Sequence, residues 1–203
     1  RLYSSTGDVV QLGGNNPLFF KFHLDITTID KRLLIFSDRQ IELSRDAKYV
    51  SIVDDELIYS SEGRSYIVNT STGEEVFSAD YDKISRFGVG HFLAYKNNKV
   101  GIIRTDGSVV CEPKYNFITD SRTHYTVYQS DGTGAMDKAG NELVPCVYRS
   151  VSASPEFFSV TSELGFQGIY SRKTNRLLID CIYDRIDIRD NKIRAWSGDK
   201  LRI

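Results

Sequence analysis

Short stretches of alternating apolar and polar residues, separated by turn-forming glycine, asparagine and aspartate, recur along the whole chain. One unit contains four such stretches, at Tyr81–Phe87, His91–Tyr95, Val100–Arg104 and Ser108–Cys111. Branched and aromatic side chains dominate them, which favours strands. Asp25–Arg32 is the one place where a helical turn could intrude, but its β-branched residues oppose it. The pattern therefore predicts an all-β fold.

This pattern repeats along the chain. Tyrosines that open successive Tyr-x-x-Ile-like sequences are 34, 33 and 35 residues apart. They are Tyr81, Tyr115, Tyr148 and Tyr183, with a weaker copy at Tyr49. Turns keep the same phase, near residues 7, 40, 73, 107, 140 and 175. A period of this length is typical of solenoids, propellers and arrays, so residues 1–203 are predicted to form one β-repeat domain of six units.

The arrangement of the units predicts a ring. Four strands per unit and six units per chain match the blades of a β-propeller. Residues 198–203 resemble residues 97–102 and stop before the turn, whereas residues 1–7 supply a strand that continues into such a turn. In a closed ring the N-terminal strands would complete the last blade and leave no open sheet edge. We therefore predict a closed β-propeller of short four-stranded blades, with an open β-solenoid of the same units as the alternative.

Composition narrows the range of partners. The chain has 26 Lys and Arg residues against 27 Asp and Glu residues, a net charge of −1. We therefore expect no nucleic-acid partner, because such proteins carry an excess of basic residues. No apolar run approaches the ~18 residues of a membrane span, so we expect no membrane insertion. The chain lacks an initiator methionine and a signal peptide, so we expect it to be part of a longer or processed protein, of unknown localisation. We also expect the domain to be monomeric.

Three cysteines occupy equivalent strands of successive units. Cys146 and Cys181 lie two residues before the tyrosine that opens the next repeat unit, and Cys111 lies four residues before it. We call these repeat tyrosines the unit tyrosines. Packed sheets are about 10 Å apart, farther than a disulfide reaches. We predict free thiols in the core, and no CxxC or Cys/His cluster suggests a metal site.

Several of these motifs resemble those of the bacterial WG-repeat family. The resemblance is carried by Tyr81–Ile84, Gly101–Ile103, Asp106–Gly107, Val109–Pro113, Gly134–Gly140, Leu143–Pro145 and Tyr183–Ile186. The tryptophan that precedes glycine in that family is replaced here by Val100, Thr133 and Gln167. The resemblance implies a repeat scaffold that works as a binding module, and it offers no catalytic residues to carry over.

We find no constellation of residues that predicts catalysis, a cofactor or a metal. Asp54–Glu56 and Glu74–Glu75 lie at turns, where solvated carboxylates are expected. His23, His91 and His124 stand outside the sequence motifs of hydrolases and zinc enzymes. We therefore predict no catalytic, cofactor-binding or metal-binding residues.

Loops that follow the Tyr-x-x-Ile strands contain the candidate binding residues. Arg86, Arg122, His124 and Arg189 recur there at about unit spacing. In repeat proteins such loops often form the binding face. The hypothesis is a cluster that faces an acidic partner or a carboxylate, and the alternative is scattered solvated charge.

The resulting functional prediction is a non-catalytic scaffold that binds a protein or peptide through loops on one face. One alternative is a propeller that binds a small molecule or glycan, with Tyr95, Tyr125 and Tyr128 as exposed stacking surfaces. A second alternative is an enzyme whose site is assembled from several blades.

Overall fold

The computed structural model describes residues 2–3, 9–10, 24–27, 29–36, 39–189 and 192–202. The chain divides into two compact units, residues 1–45 and 46–203. In the first unit, β1 (Leu2–Tyr3) pairs with β2 (Val9–Val10). Sheet one of the same unit consists of β3 (Leu24–Thr27), β4 (Lys31–Ile35) and β5 (Gln40–Ser44).

Five further sheets form the second unit. Sheet two is β6 (Lys48–Val53), β7 (Glu56–Ser61), β8 (Arg64–Asn69) and β9 (Glu75–Ala79). Sheet three is β10 (Lys83–Arg86), β11 (His91–Lys96), β12 (Lys99–Arg104) and β13 (Val109–Tyr115). Sheet four is β14 (Phe117–Ser121), β15 (His124–Gln129), β16 (Gly132–Met136) and β17 (Glu142–Tyr148). Sheet five is β18 (Ser150–Ala153), β19 (Phe157–Thr161), β20 (Gln167–Ser171) and β21 (Arg176–Tyr183). Sheet six is β22 (Arg185–Arg189), β23 (Lys192–Ser197) and β24 (Lys200–Leu201).

Each sheet is an antiparallel meander of strands that follow one another in the sequence. The prediction of an all-β fold built from six repeated units is therefore confirmed. Sheets two to five have four strands each, and sheets one and six have three described strands. Within the described residues β1 pairs with β2 and β24 pairs with β23. Closure into a ring, the open stack and the single domain over residues 1–203 all stay predictions.

A glycine at the second or third position of the third strand marks sheets three, four and five. Gly101, Gly134 and Gly168 each face three residues of the fourth strand, which therefore forms a bulge. A Cβ on Gly134 would lie 2.7 Å from the carbonyl oxygen of Val144, so only glycine fits there. Sheet two provides the contrast, because Tyr66 stands at this position and pairs directly with Ser78. The glycine of the repeat is thus explained by the bulge that it faces.

Unit tyrosines pack at the junctions between sheets. Tyr115 is buried in a cluster that joins sheets three and four and includes Val100, Ile102, Ile118 and Cys146. Burial raises the pKa of Tyr115 to about 12, with smaller contributions from Cys111, Cys146 and Glu142. The weaker copy, Tyr49, is 55% exposed and does not share this role.

All three cysteines are free thiols, as predicted. Cys111 and Cys146 are buried, and Cys181 is half-buried. They lie on β13, β17 and β21, the fourth strands of successive sheets. Burial raises the pKa of each thiol, so these side chains act as small apolar residues.

Candidate functional site

The meander brings two turns of each sheet to one edge. The first strand turns into the second at the same edge where the third turns into the fourth. We call this edge of sheets three, four and five the upper edge. It consists of residues 87–90 and 105–108, residues 122–123 and 137–141, and residues 154–156 and 172–175, respectively. Arg86, Arg122 and His124 lie at or beside it, and Arg189 ends the first strand of sheet six.

Backbone hydrogen bonds tie the two turns of a sheet together. The amide of Thr105 donates to the carbonyl of Gly90 at 3.2 Å, and the amide of Arg172 donates to that of Glu156 at 3.0 Å. The residue that follows the third strand is therefore fixed against the first turn. A side chain at this repeat position is thus attached to a backbone that is held in place by hydrogen bonds.

Two of the predicted binding residues are engaged in ion pairs. Arg86 forms a 2.5 Å ion pair with Glu56 of sheet two, and both side chains are about a quarter exposed. Its guanidinium also lies 4.9 Å from the ring centre of Phe92. Arg189 pairs with Asp187 of its own strand at 2.9 Å. These two arginines therefore have carboxylate partners within the chain.

His124 is buried, with 6% exposure, at the junction of sheets four and five. Its ring meets that of Phe158 edge to face, with centroids 5.2 Å apart. The hydroxyl of Thr123 lies 3.2 Å from Nδ1, and that of Thr126 lies 3.5 Å from Nε2. Burial lowers the pKa of His124, and the cations Arg172 and Lys138 lower it further while Asp120 opposes them. His124 is therefore a neutral hydrogen-bonding group at pH 7 and not a cation.

An open cleft of about 770 Å³ lies between sheets four and five at their upper edges. Hydroxyls, one imidazole and one guanidinium form most of its polar lining. The lining residues are Ser121, Thr123, His124, Thr126, Val151, Ser152, Ala153, Ser154, Pro155 and Arg172. Of the four predicted binding residues only His124 lines it. Arg122 is exposed in the adjoining turn.

Arg172 is the cation of this cleft. Its Nη1 donates to the carbonyl of Ser154 at 2.9 Å, and its Nη2 donates to the hydroxyl of Thr123 on the neighbouring sheet at 2.9 Å. The guanidinium lies 4.9 Å from the ring centre of Phe158. Within the described part of the chain no carboxylate pairs with it. The cleft therefore holds a positioned positive charge without a neutralising partner.

Sequence reasoning missed Arg172 because it considered only the loops after the first strand of each unit. A signal was present in the repeat itself. Lys138 and Arg172 both come four residues after the third-strand glycine that faces the bulge, which is Gly134 in sheet four and Gly168 in sheet five. Two cations at one repeat position, on the edge that the predicted loops share, indicate a common role.

Of the three tyrosines predicted as exposed stacking surfaces, the prediction is wrong for Tyr125. Tyr125 is 1% exposed and lies beneath Lys138, whose Nζ is 3.8 Å from the ring centre. Tyr128 packs against Phe117 with ring centroids 5.8 Å apart, and the ring of Tyr95 lies 5.3 Å from Nζ of Lys83. Tyr125 therefore offers no surface to a ligand, whereas Tyr95 and Tyr128 are half-buried.

Among the described residues, no group of three or more His, Cys, Asp or Glu side chains is placed to hold a metal ion. No helix long and apolar enough to cross a membrane occurs in that part of the chain.

Comparison with known proteins gives structural likenesses only. No family model matches the sequence, and no curated protein matches it, so the WG-repeat resemblance stays a prediction. Among solved structures, Hsv2 of Kluyveromyces lactis matches with a TM-score of 0.42 and 9% identity, over 86% of this chain and 68% of that one. BamB of Moraxella catarrhalis matches with a TM-score of 0.36 and 13% identity, over 87% and 70%. The computationally designed Ika8 protein matches with a TM-score of 0.36 and 10% identity, over 84% and 66%.

This chain thus spans slightly less than two thirds of the designed protein. At these TM-scores the likenesses add nothing to a fold that is defined by strand pairing.

Proposed function

We propose that this chain is a non-catalytic binding module that takes a segment of a partner protein or peptide at its upper edge. The cleft between sheets four and five is the centre of the proposed site. The observation that carries the proposal is the open, hydrogen-bonding lining of this cleft, built from the turns of two adjacent sheets. A peptide backbone needs such donors and acceptors along an accessible groove.

The composition of the cleft favours a peptide over a small molecule or glycan. Sites for small molecules are mostly apolar and enclose most of their ligand. This cleft is open, and hydroxyls of Thr123, Thr126, Ser152 and Ser154 contribute to its lining. Of the three tyrosines predicted to stack on a sugar, Tyr125 is buried and is closed to a ligand.

The surroundings of His124 support binding rather than catalysis. A hydrolytic triad places a nucleophile on one ring nitrogen and a carboxylate on the other. Here a threonine hydroxyl lies near each nitrogen, Thr123 at Nδ1 and Thr126 at Nε2. We therefore assign His124 a structural and hydrogen-bonding role within the site.

A peptide-display selection tests this proposal. The immobilised chain should enrich peptides that bind the wild type and lose binding when Ser152, an exposed cleft residue, is replaced by tryptophan. Ser130→Trp is the matched control, because Ser130 is an exposed turn residue at the opposite edge of sheet four. Peptides that bind both variants equally, or a selection that enriches none, would overturn the proposal.

A further inference from the structure

Sheets four and five each carry a cation at the same repeat position, and among the described residues only the cation of sheet four has a carboxylate partner. In sheet four, Nζ of Lys138 lies over the ring of Tyr125 and bonds to the carboxylate of Asp120. In sheet five, Arg172 lies over Phe158, the residue equivalent to Tyr125. The cation and the aromatic ring are retained from one sheet to the next.

The counter-ion is not retained. Asp120 is paired across the sheet with Tyr125, and the residue paired in the same way with Phe158 is Ala153. Ala153 therefore stands where the carboxylate of Asp120 would be expected, and it lines the cleft. Sheet five keeps the cation of this arrangement and replaces its acid with a methyl group.

Arg172 is held ready for an anion. The carbonyl of Ser154 and the hydroxyl of Thr123 each accept one of its hydrogen bonds, and the backbone amide is fixed by Glu156. A guanidinium has five N–H donors in one plane, so donors remain for a carboxylate. Little side-chain freedom is lost on binding, because the group is already positioned.

We infer that a carboxylate of the partner, from an aspartate or glutamate side chain, binds Arg172 in the place that Asp120 holds beside Lys138. This inference rests on the proposed peptide-binding function and adds the chemical class of the group that the cleft selects. The partner supplies the acid that sheet five lacks, which gives the interaction its charge specificity.

His124 provides a direct readout. Its ring lies at the same cleft, and Arg172, Lys138 and Asp120 are the charged groups that act on it. A carboxylate at Arg172 would offset the positive charge and raise the pKa of the imidazole. Binding can therefore be followed through the NMR signal of one histidine without knowledge of the natural partner.

The test uses capped Gly-Asp-Gly and Gly-Glu-Gly peptides, with Gly-Asn-Gly and Gly-Gln-Gly as uncharged counterparts. We expect the acidic peptides to shift the His124 resonance saturably and to raise its pKa, and the amide peptides to do neither. Arg172→Gln should weaken binding by about tenfold or more, since hydrogen bonds to charged groups are among the strongest. Arg149→Gln, an exposed arginine between sheets four and five on the opposite side, should leave it unchanged.

Ala153→Asp keeps the test decisive if Arg172→Gln disturbs the turn. This variant supplies the missing carboxylate within the chain, so it should abolish binding of the acidic peptides while preserving the fold. Binding that persists in Ala153→Asp would overturn the inference, as would tighter binding of a phosphoserine peptide or equal binding of the amide peptides. Display-selected peptides that need the cleft but contain no essential acid would overturn this inference alone and leave the proposed function standing.

Discussion

His124 of sheet four meets Phe158 of sheet five edge to face, with the ring planes at 79° and the centroids 5.2 Å apart. One unit earlier, His91 meets Tyr125 at 70° and 6.4 Å. The same contact thus joins sheet three to sheet four and sheet four to sheet five. Inter-sheet packing repeats together with the sequence, and the cleft is built directly beside one of these contacts.

Acid should weaken the fold through His124. Because its folded-state pKa is lowered, the unfolded chain takes up the proton first as the pH falls below about 6.5. The stability from the neutral ring is present above that value and is lost as the pH falls through the folded pKa. Urea denaturation between pH 7 and pH 5 should show a smaller loss in His124→Gln than in the wild type. Identical pH dependence in both proteins would contradict this assignment.

Truncation of Tyr115 should be strongly destabilising. The side chain is 5% exposed and packs in the cluster that joins sheets three and four. We expect Tyr115→Ala to lower the free energy of unfolding by about 3 kcal/mol, as other buried aromatic truncations do. Tyr49→Ala, at the exposed copy, is the matched control and should change it by no more than about 1 kcal/mol, because the exposed ring loses a contact with Nζ of Lys83. Equal denaturation midpoints for these two variants would contradict the assignment of Tyr115 as a residue that stabilises the fold through its burial.

The glycine opposite the bulge should not tolerate a side chain. Gly134→Ala would place a Cβ 2.7 Å from the Val144 carbonyl and 2.9 Å from Cα of Cys146, so a loss of about 3 kcal/mol is expected. In Gly165→Ala the new Cβ meets no atom within 4 Å, and the φ of +89° is the only source of strain. We therefore expect a loss of stability of about 1 kcal/mol. Thermal and urea denaturation would compare the two. A smaller effect at Gly134 than at Gly165 would contradict the steric explanation.

Arg86 and Glu56 should contribute to the packing of sheet two against sheet three. Their ion pair is partly buried and spans 30 residues of sequence. A double-mutant cycle with Arg86→Met and Glu56→Gln should give a coupling free energy of about 1 kcal/mol that decreases with added salt. A coupling indistinguishable from zero at low salt would mean that the pair is incidental.

Removal of Asp120 should create a second anion site. Asp120→Ala would leave Lys138 over Tyr125 without its carboxylate, which is the arrangement that sheet five has naturally. Isothermal titration with an acidic peptide should then report two binding events where the wild type gives one. Asp131→Ala, which removes an exposed acid at the opposite edge of sheet four, should still give one. A single binding event in Asp120→Ala would contradict the proposal that an unpaired cation over an aromatic ring at this repeat position binds a carboxylate.

Local sequence was sufficient to predict the strands of the repeat. The predicted stretch Val100–Arg104 is observed as Lys99–Arg104, and His91–Tyr95 is observed as His91–Lys96. The fourth strand was predicted too short, ending at Cys111 rather than Tyr115. Its last residues follow a bulge, where the alternation of apolar and polar positions is interrupted, so periodicity gives no signal there.

The site was only partly predictable, because its electrostatics depend on pairs that are distant in sequence. The ion pair of Arg86 with Glu56 joins residues 30 positions apart in the sequence. The hydrogen bond of Arg172 to Thr123 joins residues 49 positions apart. His124 was predicted in the loop after the first strand, whereas it begins β15, and its burial against Phe158 makes it neutral rather than cationic. Charge at a repeat position can be read from sequence, whereas neutralisation of that charge requires the packing of adjacent sheets.

The bulge on the fourth strand also makes the scaffold easy to modify. Residues 112–114, 145–147 and 180–182 face a single glycine each and lie outside the regular pairing. Proline is accepted there, at Pro113 and Pro145, and exposed apolar residues such as Ile182 occupy the same segment. Fluorescent labels or affinity tags are therefore best attached at the exposed positions of these segments, such as Val147 and Ile182, because Cys146 in the same bulge is buried.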